Sequence, residues 1–493
     1  MPDPLRDTGF SKSLHQPQER KNAVKPNKNP EWMTNSKERM SYYTYFMGQN
    51  AIYTIVTTFL TTYLLFQGID PAKSAAVMLA VKIWDAVNDA IFGVIFDSVH
   101  FKSKKKYLPW LKISTGCIPI ATVLMFIAPI GMSETYKLVW FAVAYILWDT
   151  AYTLCDVPIF GIVTAMTERI DERTSLLSYK SIWSGIGSGI AFIIATVLVS
   201  EKVGLSFGLA SVIIAVFSLL SMIPVSFNVK ERVVAAEEEQ FTLKRMFRYL
   251  IKNKYLLIYY IGYLFYSGFG VSGSLVMFVS YYMFHNSTFS LFITALSVLP
   301  MLVCALLVPK LLRHFDKMKL YIICAVLTAV LGVITWAAGY NSIFVYSVLA
   351  VLRSIPAAFI GVTMFMFTPD CAEYGKFKSG IEAKGITFAL QTFMAKLTGA
   401  ISGSMGLFLL KLYDWTSIKV SSFQELQELA IQQSDKAMSG LWFIYNIVPV
   451  IGIVIALGVW FFYRLKDKEV QIMADCNSGK ISKEEALSLL SHT

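Results

Sequence analysis

Asp85, Asn88 and Asp89 stand inside Lys82-Ile83-Trp84-Asp85-Ala86-Val87-Asn88-Asp89, within an apolar run from about Pro71 to Asp97. A bilayer is crossed by about 20 residues of helix, and this run is long enough. The two carboxylates are spaced i,i+4 with the amide between them, so one helix face carries all three. A carboxylate at membrane depth is costly unless it is paired, protonated or bound to an ion. This chemistry points to a solute movement coupled to a cation. Carboxylate and amide oxygens suit hard ions, so Asp85 and Asp89 would hold Na⁺ if sodium is the coupling ion.

Further charged groups lie in apolar segments. Asp156 is followed two residues later by Pro158, which has no N–H for the Leu154 carbonyl and so loosens the helix beside the carboxylate. Asp149 precedes Asp156 by seven residues, two turns along nearly the same face. Lys396, Arg353 and Lys82 complete the set. Pairing alone is a weak reason to bury such groups, because apolar contacts of equal volume are often as stable. Exchange of a Lys partner for Na⁺ or H⁺ makes fuller use of them. Arg353 and Asp149 fall at similar depth on helices that enter from the same side. They either form a salt bridge or leave Arg353 free to grip an anionic substrate. Trp84, Trp148, Trp183, Tyr152 and Phe160 are candidates to stack on a sugar ring.

The elements that position these groups follow from composition. Of 493 residues, 55% are hydrophobic and 16% charged, with mean hydropathy +0.54. Soluble domains carry about 25% charged residues, so the chain reads as an all-α polytopic membrane protein. Apolar runs fall near 40–67, 71–98, 108–130, 137–166, 176–200, 204–228, 253–284, 288–312, 319–339, 342–369, 384–412 and 439–463, about twelve transmembrane helices. The net charge of +11 reflects Lys and Arg gathered in loops on one side, not a nucleic-acid partner. Lys102, Lys104, Lys105, Lys106, the basic residues between Lys230 and Lys254, and Lys310, Arg313, Lys317 and Lys319 share that side. Both termini are therefore expected in the cytoplasm, and the protein in the cytoplasmic (inner) membrane.

Expected divisions are a disordered tail (1–39), a six-helix half (40–229), a cytoplasmic linker (230–252), a second six-helix half (253–465) and a cytoplasmic tail (466–493). Two six-helix halves around a linker match a major facilitator fold. Residues 414–438 form a connector with an amphipathic helix near Phe423 to Ile431. Ser482 and Glu485 read as a capping box for a short terminal helix. The six cysteines show no metal-type spacing, and no disulfide is expected. The five His are scattered, which argues against a membrane enzyme.

Ile83-Trp84-Asp85-Ala86-Val87-Asn88-Asp89, Tyr145-Ile146-Leu147-Trp148 with Tyr152-Thr153 and Asp156-Val157-Pro158, Asp370-Cys371-Ala372-Glu373-Tyr374-Gly375, and Gln391-Thr392 with Lys396 together resemble the glycoside–pentoside–hexuronide:cation symporter family. The resemblance covers roughly residues 40–465. It implies a cation site at Asp85, Asn88, Asp89 and Thr153. It also implies a substrate site drawing on Asp156 and Lys396, with Asn50, Asp149, Tyr152, Phe160, Lys180, Arg353, Gln391 and Thr392 as further candidates. The chain departs from the family pattern. Asn50 stands in place of a sugar-binding aspartate, Phe160 and Gly361 replace tryptophans, and Ser181 beside Lys180 falls at an arginine position. Asp149 occupies a glycine position and Arg353 an apolar one. The expected function is Na⁺- or H⁺-coupled symport of a glycoside, oligosaccharide or hexuronide by a monomer, with no cofactor beyond the ion. The alternative is a carrier of an amphipathic lipid on the same fold.

Overall fold

The computed structural model describes residues 32–99, 101, 103, 105–128, 131–232, 243–380 and 384–491. Residues 1–31 of the expected disordered tail lie outside these residues, as does the middle of the linker. The tail's remaining residues are structured: the Thr34 N–H donates to Glu172 and α1 begins at Ser36. Two membrane-crossing sets of helices emerge. The first comprises α1 (Ser36–Phe66), α2 (Pro71–Ser98), α3 (Leu108–Phe126), α4 (Glu134–Met166), α5 (Ile170–Val199) and α6 (Phe207–Asn228). A short α7 (Leu243–Lys252) leads into α8 (Lys254–Gly268), α9 (Ser272–Phe284), α10 (Phe289–Leu311) and α11 (Lys317–Ala338). Then follow α12 (Ile343–Thr363), α13 (Phe367–Ser379), α14 (Lys384–Leu412), α15 (Phe423–Glu428), α16 (Asp435–Trp460), α17 (Asp467–Asn477) and α18 (Lys483–Ser491).

Local sequence sets the helix ends. Asn35 caps α1 by accepting the Glu38 N–H at 2.9 Å, and the Glu38 carboxylate accepts the Asn35 N–H at 3.0 Å. Asp70 caps α2, where Pro71 takes the first-turn position that needs no N–H. Ser482 accepts the Glu485 N–H at 3.1 Å at the start of α18, one of the two bonds of the expected capping box. The amphipathic connector helix is shorter than expected and ends at Glu428.

Among the described residues, ten spans are long and apolar enough to cross a membrane by length and composition. The helices α1 and α2 are of similar length, 31 and 28 residues. Their Thr, Tyr and charged residues lower their hydropathy, so the expected twelve spans are ten by that criterion plus these two. The seventh span is not continuous. It breaks between α8 and α9 around Gly270, where the Gly270 N–H bonds the Ser267 carbonyl at 3.0 Å. The tenth span runs past its expected end, through a single 3₁₀ turn at Met364–Met366 into α13.

The helix α1 packs on α5 and α6, and α3 packs on α4 and α6. In the second half α12 packs on α10 and α11, and α16 on α8 and α11. Close approach depends on small residues. A Cβ built on Gly187 of α5 would stand 2.0 Å from the Met47 carbonyl oxygen of α1. The halves meet through α2 against α14, α1 against α9 and α5 against α10.

Ties between the halves concentrate at the end opposite the termini. Lys411 pairs with Asp70 at 2.6 Å. The Val420 N–H donates to the Phe66 carbonyl at 3.0 Å. The Ser287 N–H and hydroxyl both donate to Glu201 at 2.7 Å. Phe66 also packs against Phe278 and Phe423. At the end bearing the termini, the named ties each stay within one half. Arg232 pairs with Glu38 at 2.6 Å, and Glu231 accepts the N–H groups of Lys106, Tyr107 and Leu108. Lys317 pairs with Asp370. The helix α17 docks on the second half through Asn477, whose amide donates to Glu373.

Candidate functional site

Between the halves lies a cavity of about 840 Å³. Its walls come from α1, α2, α4 and α5 on one side and α9, α10, α14 and α16 on the other. Lys82, Asp85, Asp149, Tyr152 and Lys396 all line it. Gly185, Gly189, Gly273 and Gly399 open its volume, since a Cβ on any of them would meet nothing within 4 Å.

The ion pair between Lys396 of α14 and Asp85 of α2, at 2.8 Å, bridges the halves. Asp85 is buried, while Lys396 keeps 32% of its side chain exposed. Lys82, one turn before Asp85, holds its ammonium 5.1 Å from the centre of the Tyr145 ring.

Asn88 turns to α4. Its amide donates to Asp149 Oδ2 at 3.0 Å and to Thr153 Oγ1 at 3.0 Å, and all three residues are buried. Thr150 donates to Asn88 Oδ1 at 3.5 Å. Asp149 therefore joins the residues expected to hold the cation, whereas the sequence reading grouped it with the substrate contacts. Its spacing of four from Thr153 carried that signal. Asp85, Asn88, Asp149 and Thr153 carry oxygen atoms of the type that a hard cation prefers. The Asp89 side chain lies outside the described residues.

The aromatic wall is built by Tyr152, stacked on Trp148 at 5.0 Å and 24° and facing Tyr53 at 5.6 Å. Trp148 is anchored by its indole N–H on Thr122 Oγ1 at 3.1 Å.

The other expected substrate contacts, Asn50, Asp156, Phe160, Lys180, Gln391 and Thr392, are not among the residues lining this cavity. Asp156, seven residues beyond Asp149 on α4, sits about 10 Å nearer the termini at 1.5 Å per residue. There Gln49 donates to its carboxylate at 2.8 Å. Asn50 donates to Ser184 Oγ at 3.0 Å. Lys180 lies over the Phe160 ring at 3.9 Å, and Phe160 packs on Phe46. Gln391 and Thr392 stand more than a turn before Lys396 on α14. Thr392 is exposed and donates to its own helix at the Phe388 carbonyl, while Gln391 Oε1 has no partner among the described residues.

Arg353 turns away from Asp149. Among the described residues it forms no ion pair, and its guanidinium donates to Asn446 Oδ1 of α16 at 3.3 Å. The salt bridge to Asp149, one of the two expected arrangements, is absent among the described residues, because α12 packs into the second half on α10 and α11 and turns Arg353 toward α16. Sequence reasoning also missed Gln49, Ser184 and Asn446. A single neutral amide or hydroxyl in an apolar helix is satisfied by one hydrogen bond, so its residue type alone does not mark a site.

Two sets of long apolar helices around a central cavity that holds charged side chains make the architecture of a membrane transporter with the major facilitator fold. The chain belongs to the MFS/sugar transport protein family, whose model matches residues 42–467. This accords with the resemblance found in the motifs and identifies the chain as a transporter rather than an enzyme. It is 25% identical over 464 residues to the isoprimeverose transporter of Lactiplantibacillus pentosus, covering 92% of this chain and 93% of that protein. It is 24% identical over 440 residues to the glucuronide carrier protein homolog of Escherichia coli K12, covering 85% and 91%. The crystal structure of the nucleoside transporter NupG shares the fold, with TM-score 0.64 and 16% identity over 87% of this chain and all of that one.

Proposed function

We propose that this protein is a symporter that carries a sugar-derived solute with a monovalent cation by alternating access. The observation that carries this reading is the 2.8 Å ion pair between Lys396 and Asp85. It joins the two halves at the cavity wall, beside the Asn88–Asp149–Thr153 cluster. A cation entering that cluster competes with Lys396 for Asp85. When the cation wins, the link between α2 and α14 loosens and the halves are free to rock about the bound solute. Lys396, released from Asp85, then faces the solute in the cavity, which couples the two cargoes.

The wall suits a hydroxylated solute. Thr54, Thr57, Thr58, Ser188, Thr294 and Ser402 line it together with the stacked Tyr152. A carrier of an amphipathic lipid calls for a long apolar track, and here Lys82, Asp85, Asp149 and Lys396 stand among the apolar lining residues. Basic loops argue for cytoplasmic termini in an inner membrane. The latched end is then external, and the arrangement is inward-facing. The transport unit is a monomer, since each half finds its partner within the same chain.

The test is uptake by proteoliposomes across a panel of glycosides, with and without an inward Na⁺ or H⁺ gradient. Accumulation of at least one glycoside that collapses with the gradient supports the reading. Uptake of every accepted solute at the same rate without any gradient would refute coupling.

A further inference from the structure

Arg353 borders a second cavity, about 340 Å³, within the second half. This falls at the lower end of ligand pockets, about 300–1,000 Å³. It shares Ser272, Ile293, Ser297 and Tyr445 with the central cavity, so the two spaces adjoin along that edge.

The charge in this side chamber is unbalanced. A guanidinium carries five N–H donors and stays charged. Among the described residues, Arg353 has Asn446 Oδ1 as its hydrogen-bond acceptor and no carboxylate partner. The buried Asn446 is itself fixed, its amide donating to the Trp442 carbonyl at 3.1 Å. The helices α9, α10, α11, α12 and α16 hold no Asp or Glu except Asp435, the first residue of α16. Eleven residues separate Asp435 from Asn446, roughly 16 Å along the helix. Across the central cavity, Asp85 is taken by Lys396 and Asp149 accepts from Asn88. A cation left without a counter-charge at membrane depth is costly and marks a functional site. Thr335, Tyr346 and Ser354 add hydroxyl groups to a wall otherwise built largely from Ile293, Met301 and alanines.

We propose that this side chamber is a subsite for an anionic group of the transported solute, a carboxylate or sulfonate, held by the Arg353 fork while the sugar ring lies in the central cavity. The geometry of guanidinium and carboxylate favours two parallel hydrogen bonds, which Lys cannot reproduce. The inference rests on the symport reading for its cargo, but it concerns binding and is tested without a gradient.

The experiment is isothermal titration of the purified protein in lipid nanodiscs. The probes are glucuronate, galacturonate, a glucose sulfonate and methyl glucoside, against wild type, Arg353→Gln and Arg353→Lys. A thermal melt of each variant reports folding. Wild type is expected to bind at least one of the anionic sugars about tenfold or more tighter than methyl glucoside. In Arg353→Gln that anion should bind about 10- to 100-fold weaker, the range for losing a charged hydrogen bond. Methyl glucoside should be unchanged. Whether a carboxylate or the sulfonate carries the preference identifies the group. Equal wild-type affinity for anionic and neutral sugars would overturn the subsite, as would an anion preference that survives in Arg353→Gln. Should Arg353→Gln fail to fold, Arg353→Lys carries the test, since it keeps the charge and loses the fork. Selective weakening of the anions supports the proposal, and an unchanged preference refutes it. Loss of gradient-driven uptake with the anion preference intact would sink the symport reading alone.

Discussion

A double-mutant cycle on Asp85 and Lys396 tests the link between the halves. At 2.8 Å separation, an effective dielectric of about 20 gives a gross attraction of about 6 kcal/mol. Desolvation offsets much of this. Lys396 also keeps 32% of its side chain exposed, against 10% for Asp85, so water already screens one partner. The net coupling should therefore be about 2 kcal/mol, below the range of about 3–5 kcal/mol for breaking a fully buried pair. Lys396→Met leaves the buried carboxylate alone and should be the more harmful single change. Asp85→Asn leaves an ammonium that can hydrate in the cavity. The double variant should lose about 2 kcal/mol less than the sum of the singles. Equilibrium unfolding in matched detergent measures all four proteins. Saturating coupling ion should shrink the coupling, because the ion takes the place of Lys396. Additivity within about 0.5 kcal/mol, with or without ion, would refute the reasoning.

Three further outcomes are expected. Gln49→Leu removes the amide that donates to Asp156 at 2.8 Å; it should destabilise the protein by about 1.5–3 kcal/mol, the scale of one hydrogen bond to a charged group, and an unchanged thermal melt would count against that bond. Gly187→Ala should destabilise the protein by about 1–3 kcal/mol, since its Cβ would meet the Met47 carbonyl at 2.0 Å, whereas Gly189→Ala meets open space and should melt like wild type. The hydrogen bond from Lys411 holds the Asp70 carboxyl below its ordinary value. A carboxyl depressed on folding contributes its stability above the unfolded value and loses it as pH falls through the folded one. The difference in stability between wild type and Lys411→Met should thus be present at neutral pH, at most about 1 kcal/mol for so exposed a pair, and vanish in acid.

The helices were legible because twenty apolar residues in a row have few other fates, and Asp85, Asp149 and Lys396 because charge at membrane depth is too costly to be incidental. What hydropathy conceals is which faces meet. The break between α8 and α9 falls in the Gly- and Ser-rich stretch from Ser267 to Ser274, a signal masked by the high hydropathy of the span as a whole. The depth of Arg353 could be counted from the sequence, but its direction depends on α12 packing against α10 and α11. Asn50 was a candidate sugar contact, yet it bonds Ser184, and its neighbour Gln49 reaches Asp156. One residue along a helix is a turn of about 100°, enough to exchange the partners of two adjacent amides.

The claim that Asp85 couples cation to solute is tested most directly by Asp85→Asn in proteoliposomes, comparing uphill accumulation with solute exchange at equal concentrations. The account predicts that exchange persists, because the cavity walls and Lys396 remain, while gradient-driven accumulation is lost. Accumulation by Asp85→Asn at the wild-type level would contradict it.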